Sequence, residues 1–204
     1  MIAVIDYGVG NLFSLACSLK AIGSDSVVTS DKKIIGSADG IILPGVGAFG
    51  DAALKLKESG LDDVIVEEVR KGKKLLGICL GMQLLFEKSY EYGCHEGLGL
   101  LKGSVRPLEE LINGDLLIPH MGWNSLKKVK ETPLFKDVSD GAYVYFVHSY
   151  AAVPEDGSLA EVCDYGGDVT AAVSLDNVMG CQFHPEKSGR EGLAMLDAFV
   201  KMKF

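Results

Sequence analysis

The chain has 204 residues, 48% of them hydrophobic, with a formal net charge of −8. That length buries a full core without cross-links and fits a single domain over residues 1–204, while the acidic balance argues against a nucleic-acid footprint. The cysteine count of 5 is odd, with long spacings and no Cys-x-x-Cys pair, which excludes a disulfide framework and a zinc ribbon.

Ile2–Asp6 is an apolar run with no basic segment ahead of it. It reads as a strand covered on both faces, not as a signal peptide. Asn11 offers a helix cap, Leu12, Leu15, Ala16, Leu19 and Ile22 recur at helical spacing, and Gly23 stops the run. Val27–Thr29 is a second strand and Gly40–Leu43 a third, which ends in Pro44-Gly45-Val46-Gly47. Helical stretches follow at Phe49–Lys57 and Leu61–Lys71, then a buried strand at Leu75–Ile78 that runs into Cys79. This alternation predicts an α/β fold with an open, mainly parallel central sheet flanked by helices. From about Gly97 the texture changes. Leu98–Pro107, Leu116–Val129, Tyr143–Tyr150, Leu159–Asp164 and Val169–Phe183 read as added antiparallel strands separated by turn residues. A closing helix covers Arg190–Lys201, with Ser188 and Glu191 in a capping-box pattern. The longest uncharged apolar run, Leu75–Phe86, is too short and too glycine-interrupted to cross a bilayer. A cytoplasmic, reducing home with no membrane partner is therefore expected.

The chemistry centres on Gly77-Ile78-Cys79-Leu80-Gly81. A strand, a sharp turn and a helix start with cysteine at the corner make the thiol form of a nucleophile elbow. Such a corner holds the residue in a strained conformation at the sheet end, and the following amides and helix dipole favour a thiolate or an oxyanion. A buried inert thiol is the competing reading of this pattern alone.

A nucleophilic cysteine needs a base and an orienter. Of the 4 histidines, His95 sits in a polar loop, and His120 and His148 follow strand-like runs, where either structural or site-lining roles are open. His184, in Gln182-Phe183-His184-Pro185-Glu186, is the strongest candidate. Pro185 holds His184 extended, and positions two apart then point the same way, so Glu186 can orient the ring for Cys79. The Pro44–Gly47 turn, with Gly47, is the natural oxyanion partner, and the amide of Leu80 would be the second donor. Gln83 lies one turn beyond Cys79, placed to meet a polar substrate or to brace the turn. Trp123 is the only tryptophan; it is either an exposed interface anchor or a core residue. The Lys127–Lys130 cluster reads as a solvated strand edge or a surface for an acidic partner.

Together, the Pro44–Phe49, Gly77–Gln83 and Gln182–Glu186 motifs resemble those of class I glutamine amidotransferases. Asp6–Asn11, Pro119–Asn124, Tyr145–Tyr150 and Lys187–Gly189 narrow this. They are similar to the glutaminase subunits of imidazole glycerol phosphate synthases, of histidine biosynthesis, over nearly the whole chain. The resemblance implies a flavodoxin-like arrangement of the sheet and a thioester mechanism. Cys79 would attack the side-chain amide of glutamine, with His184 moving protons under the orientation of Glu186. Gln83, His148, Ser149 and Tyr150 would hold the amino-acid end of glutamine. Ammonia would pass to a (β/α)₈-barrel cyclase in a heterodimer that makes imidazole glycerol phosphate and aminoimidazole carboxamide ribotide. Met121, Trp123 and Asn124 match a region near that subunit interface. No metal and no cofactor are implied. Cys181 and Ala151 depart slightly from the pattern, away from the triad, and Cys181 is expected to be a buried, inert thiol. The rivals are another class I amidotransferase, a γ-glutamyl hydrolase, or a flavodoxin-like binding module with coincidental motifs.

Overall fold

The computed structural model describes residues 1–203. The first half runs β1 (Ile2–Ile5), α1 (Leu12–Ala21), β2 (Ser26–Thr29), α2 (Lys32–Ser37), β3 (Gly40–Gly45), α3 (Phe49–Ser59), α4 (Leu61–Arg70), β4 (Lys74–Cys79) and α5 (Leu80–Gln83). The second half runs β5 (Phe86–Ser89), β6 (His95–Glu96), β7 (Leu101–Pro107), β8 (His120–Ser125), β9 (Lys127–Lys128), β10 (Tyr143–His148), β11 (Tyr150–Pro154), β12 (Leu159–Asp164), β13 (Asp168–Leu175), β14 (Val178–Cys181) and α6 (Gly189–Lys201).

The main sheet has eight strands in the order β2-β1-β3-β4-β14-β13-β12-β9. The first five are parallel and the rest antiparallel. β1 shows why a continuous apolar run is needed. Ile2 and Val4 face a core with Leu15, Leu19, Leu196 and Phe199, while Ala3 and Ile5 face another with Ile35, Phe49, Leu56 and Ile65. Successive side chains point to opposite faces, so a strand with helices on both sides has no polar positions to spare. A four-stranded sheet, β11-β7-β5-β6, and a ribbon, β10-β8, complete the fold.

The expected architecture stands, with local corrections. The sequence reading passed over α2, whose cap is Asp31 accepting from Lys33 and Ile34 amides. It also passed over β5 and β6, short segments that pair with each other and with β7 nearby, and β11, whose partner β7 lies more than forty residues back. Leu116–Val129 contains only β8 and β9, and Val169–Phe183 is a hairpin of β13 and β14. The capping box does not form: Ser188 Oγ donates to the His184 carbonyl at 2.6 Å, and Glu191 binds Ser139. Ser188 Oγ also accepts from the Tyr145 amide at 3.0 Å, so both side chains hold tertiary partners that compete with the local cap. The helix after Cys79 is a single turn, so its dipole is smaller than the elbow pattern suggested. The Lys127–Lys130 cluster is a strand edge tied into the fold: Lys127 pairs with Asp168, Lys128 with Glu131 and Asp140, and Lys130 donates to the Gly157 and Ser174 carbonyls.

Candidate active site

Cys79 is the last residue of β4, at φ 56°, ψ −114°, a conformation that L-residues rarely adopt. Neighbouring glycines make this corner possible. A Cβ on Gly81 would lie 1.8 Å from the Leu43 carbonyl oxygen, and one on Gly77 would lie 2.6 Å from that of Gly81. Residue 81 therefore passes against β3 with no room for a side chain, and the strand can turn sharply at the thiol.

Three strand ends converge here. β3 and β4 are in register so that Gly45 pairs with Cys79, which brings the Pro44–Gly47 turn beside the thiol. Gly47 has φ 96°, a left-handed value that glycine permits and other residues resist. β14 lies parallel to β4 with Cys181 opposite Ile78, so the chain just beyond it carries Gln182 and His184 to the same end of the sheet. This is where ligands bind in open α/β sheets. A cavity of about 310 Å³ opens over the thiol, lined by Gly47, Leu80, Gln83, Glu91, His148, Ser149, Tyr150 and His184 among others.

His184 Nδ1 is 2.9 Å from Glu186 Oε1, and both side chains are 3% exposed. His184 is extended, at φ −98°, ψ 100°, and Pro185–Lys187 forms a 3₁₀ turn that carries Glu186 back to the ring. Burial alone would lower the pKa of His184. The Cys79 sulfur and the Glu186 carboxylate outweigh it and raise it to about 9. The ring is then an imidazolium at neutral pH, with Nε2 free of any protein hydrogen-bond partner. Nδ1–H is held by Glu186, so Nε2 is the atom left to exchange protons.

Gln182 and Gln83 brace Cys79. Gln83 Nε2 donates to the Tyr150 carbonyl and to Gln182 Oε1, both at 2.9 Å, and Gln182 Nε2 points to Cys79 Sγ at 3.6 Å. Both hydrogens of the Gln83 amide are thus used within the protein, and only its carbonyl oxygen remains for a ligand. Of the two readings open for Gln83, bracing accounts for its donors. His148 lines the cavity with its Nδ1 2.9 Å from the Tyr150 carbonyl. Its pKa is lowered to about 3, first by burial, and that of His120 to about 4 by burial. His120 lies behind it, stacked between Phe146 and Tyr165, and is a structural residue of the wall. His95 lies apart, its ring against Gly50, and lines a different cavity of about 330 Å³.

Glu91 was invisible to sequence reasoning. It belongs to a turn without a motif, yet it lines the cavity while its carboxylate accepts from the Phe49 amide at the start of α3. Among the residues lining the cavity it is the only carboxylate, a natural partner for an ammonium group. Cys181 is fully buried, with its thiol donating to the Phe183 carbonyl at 3.4 Å. Burial, with Glu186 and Cys79 nearby, holds its pKa well above the ordinary range, as expected of an inert thiol. Met121 and Trp123 are 62% and 55% exposed on the β8 ribbon. Asn124 instead turns inward, its amide at 3.3 Å from His120 Nε2 and 2.9 Å from the Asp164 carbonyl. No described helix is long and apolar enough to cross a membrane, and no described group of three or more acidic, cysteine or histidine side chains is arranged to hold a metal.

The strained thiol, the paired imidazole and the open turn beside them have the arrangement that cysteine acyl-transfer chemistry requires. Residues 3–202 match the family described as "Glutamine amidotransferase class-I", and the chain belongs to that family. Solved structures agree on the fold. "Crystal structure of glutamine amidotransferase" aligns with a TM-score of 0.76 at 18% identity, covering 98% of each chain. "Structure of PurLQS from Thermotoga maritima" aligns with a TM-score of 0.73 at 22% identity, covering 98% of this chain and 96% of that one. Nearer in sequence are proteins named "Imidazole glycerol phosphate synthase subunit HisH". That of Aquifex aeolicus is 51% identical over 200 residues, 97% of this chain and 95% of the relative. That of Bacillus cereus is 52% identical over 199 residues, 98% and 93% respectively.

Proposed function

We propose that this chain is the glutaminase subunit of an imidazole glycerol phosphate synthase, acting in histidine biosynthesis as one catalytic domain in the cytoplasm. The observation that carries the chemistry is the buried His184–Glu186 pair facing a thiol held at φ 56°. The synthase assignment rests on full-length relatives about half identical to this chain and bearing that subunit's name.

Glutamine enters the cavity with its side-chain amide over Cys79. The thiolate attacks the amide carbon, and the carbonyl oxygen becomes an oxyanion. Amides at Gly47 and Leu80 stabilise it, and such a donor is worth ~10²–10³ in rate. The His184 imidazolium gives its Nε2 proton to the departing nitrogen, so ammonia leaves and a thioester remains. The now neutral His184 takes a proton from water, which attacks the thioester. Collapse releases glutamate and frees the Cys79 sulfur for the next turnover. Glu186 keeps Nδ1 protonated throughout. The carbonyl oxygen of Gln83 and the His148-Ser149-Tyr150 segment hold the amino-acid end, with Glu91 facing the ammonium group.

The ammonia is consumed by a cyclase partner with a (β/α)₈ barrel, in a heterodimer. Exposed Met121 and Trp123 are apolar anchors suited to that contact. Asn124, tied inward, supports the ribbon rather than the partner.

The test is covalent. A glutamine-derived chloroketone, with the cyclase subunit present, is expected to label Cys79 alone among the 5 cysteines. Peptide mapping that finds the label elsewhere, or nowhere, would overturn the mechanism. Glutamate release that is not stimulated by the cyclase and its nucleotide ligand would favour a stand-alone hydrolase.

A further inference from the structure

The Asp6-Tyr7-Gly8 segment has no part in the mechanism above, yet Tyr7 reaches its base. Tyr7 lies two residues beyond the end of β1 and is 7% exposed, with its ring in the core on the α3–α4 side of the sheet. Its hydroxyl donates to the Pro44 carbonyl at 2.8 Å, a buried bond between residues 37 apart in sequence. Pro44 opens the turn that faces Cys79.

The geometry around that bond is tight. A Cβ on Gly45 would lie 2.8 Å from the Tyr7 hydroxyl, 2.9 Å from the Gly81 amide nitrogen and 3.0 Å from Leu80 Cβ. The base of the turn is thus wedged between the phenol on one side and the nucleophile elbow on the other. A peptide unit is planar, so fixing the Pro44 carbonyl also fixes the direction of the Gly45 amide. One residue further the constraint ends: Val46 is 41% exposed, and a Cβ on Gly47 would meet nothing within 4 Å. The phenol keeps its proton at every relevant pH, because burial, and secondarily the Cys79 sulfur, raise its pKa far above the ordinary tyrosine value. It is a permanent donor.

We propose that Tyr7 is a positioning residue for the glutaminase reaction, clamping the base of the oxyanion turn through the Pro44 carbonyl while leaving Val46–Gly47 free to adjust to the tetrahedral intermediate. This rests on the glutaminase reading above. Tyr7 touches neither substrate nor reacting atoms; its effect reaches the Gly47 amide through the Pro44–Gly45 peptide plane and the two planes that follow it. The clamp acts on the intermediate more than on bound glutamine, so it belongs to kcat more than to KM. It also leaves the intrinsic reactivity of the thiol alone, because simple alkylation needs no oxyanion donor.

Tyr7→Phe removes the donor and keeps the ring. With the full-length chain and its cyclase subunit, glutamate release is expected to lose about 10- to 100-fold in kcat, part of what an oxyanion donor supplies. KM should move less than about 3-fold, as uniform binding is untouched. Alkylation of Cys79 by iodoacetamide should stay within about twofold of wild type, as it depends on the thiolate alone. An unchanged kcat would overturn the proposal. So would a fall in alkylation that matches the fall in kcat, because Tyr7 would then act on the thiol itself. Should the phenylalanine variant not fold, 4-fluorophenylalanine at position 7 fills the space of the hydroxyl without donating to Pro44; a comparable loss of kcat supports the clamp and full kcat overturns it. Failure of the underlying reading would show in the wild type as no glutamate release, which overturns both.

Discussion

His120 Nδ1 lies 3.1 Å from His148 Nε2, and only one pair of tautomers satisfies both rings. His148 Nδ1 faces the Tyr150 carbonyl and must donate, so its Nε2 accepts. His120 Nδ1 therefore donates, and its Nε2 accepts from Asn124. Tyr150 also takes the Gln83 amide, and Gln83 leads through Gln182 to Cys79. A continuous chain of hydrogen bonds thus links the exposed β8 ribbon to Cys79, its direction reversing at the Tyr150 carbonyl, which accepts from both sides.

Breaking that chain at its middle should cost stability. His120→Phe keeps the stack on Phe146 and Tyr165 but strips the partner from buried His148 Nε2. A loss of about 1–3 kcal/mol is expected, the cost of an unpaired buried polar atom. Urea unfolding of the two proteins measures it, and equal midpoints would mean that the bond contributes nothing.

The same pair sets the acid limit. Both imidazoles have folded pKa values below the ordinary 6.5, near 4 for His120 and 3 for His148. The unfolded chain binds protons first, so stability is complete above about 6.5 and falls with pH down to those folded values. The slope approaches ~1.4 kcal/mol per pH unit for each group. Wild type should lose more stability between pH 7 and pH 5 than His120→Phe, and parallel losses would refute the assignment.

His184 works in the opposite sense. Its folded pKa is raised to about 9, so the stability it adds is present in full below the unfolded value of 6.5 and is lost as pH rises through about 9. In the proposed mechanism the same proton is the one delivered to the leaving ammonia. Glutaminase kcat should therefore decline on an alkaline limb near pH 9. Glu186→Gln should shift that limb downward, because it removes the charge that holds the proton. A limb that stays in place would show that another group titrates.

The elbow should carry its strain as a stability cost. At φ 56° a glycine is at ease and an alanine is not, so Cys79→Gly should be more stable than Cys79→Ala by about 1 kcal/mol, with neither hydrolysing glutamine. Thermal melts of the pair decide this. Ammonia-dependent synthesis by the partner should survive in both.

Gly81→Ala tests the other wall of the corner. Its new Cβ would stand 1.8 Å from the Leu43 oxygen, which no rotamer can relieve. Loss of more than ~3 kcal/mol or failure to fold is expected, in the range reserved for severe steric conflicts. Wild-type stability would mean that the turn is not held against β3.

The legible parts of this protein were local. Ile2–Asp6, Gly40–Leu43 and Leu75–Ile78 announce covered strands, because alternate residues must both be apolar when helices lie on each face. Gly77-Ile78-Cys79-Leu80-Gly81 and His184-Pro185-Glu186 state their chemistry within five and three residues, because a sharp corner and an oriented imidazole are set by near neighbours. Steric and rotational constraints of that kind act over a few bonds and are written in spacing. The remainder depended on tertiary structure. β14 lies beside β4, and only that pairing brings Gln182 to Cys79 across 103 positions. Ser188 and Glu191 spell a helix cap and form none, because the Tyr145 amide and Ser139 outcompete it. Glu91, the tautomers of His120 and His148, and the grip of Tyr7 on Pro44 have no sequence signature, since a hydrogen bond between distant segments is decided by where the sheet register places their ends.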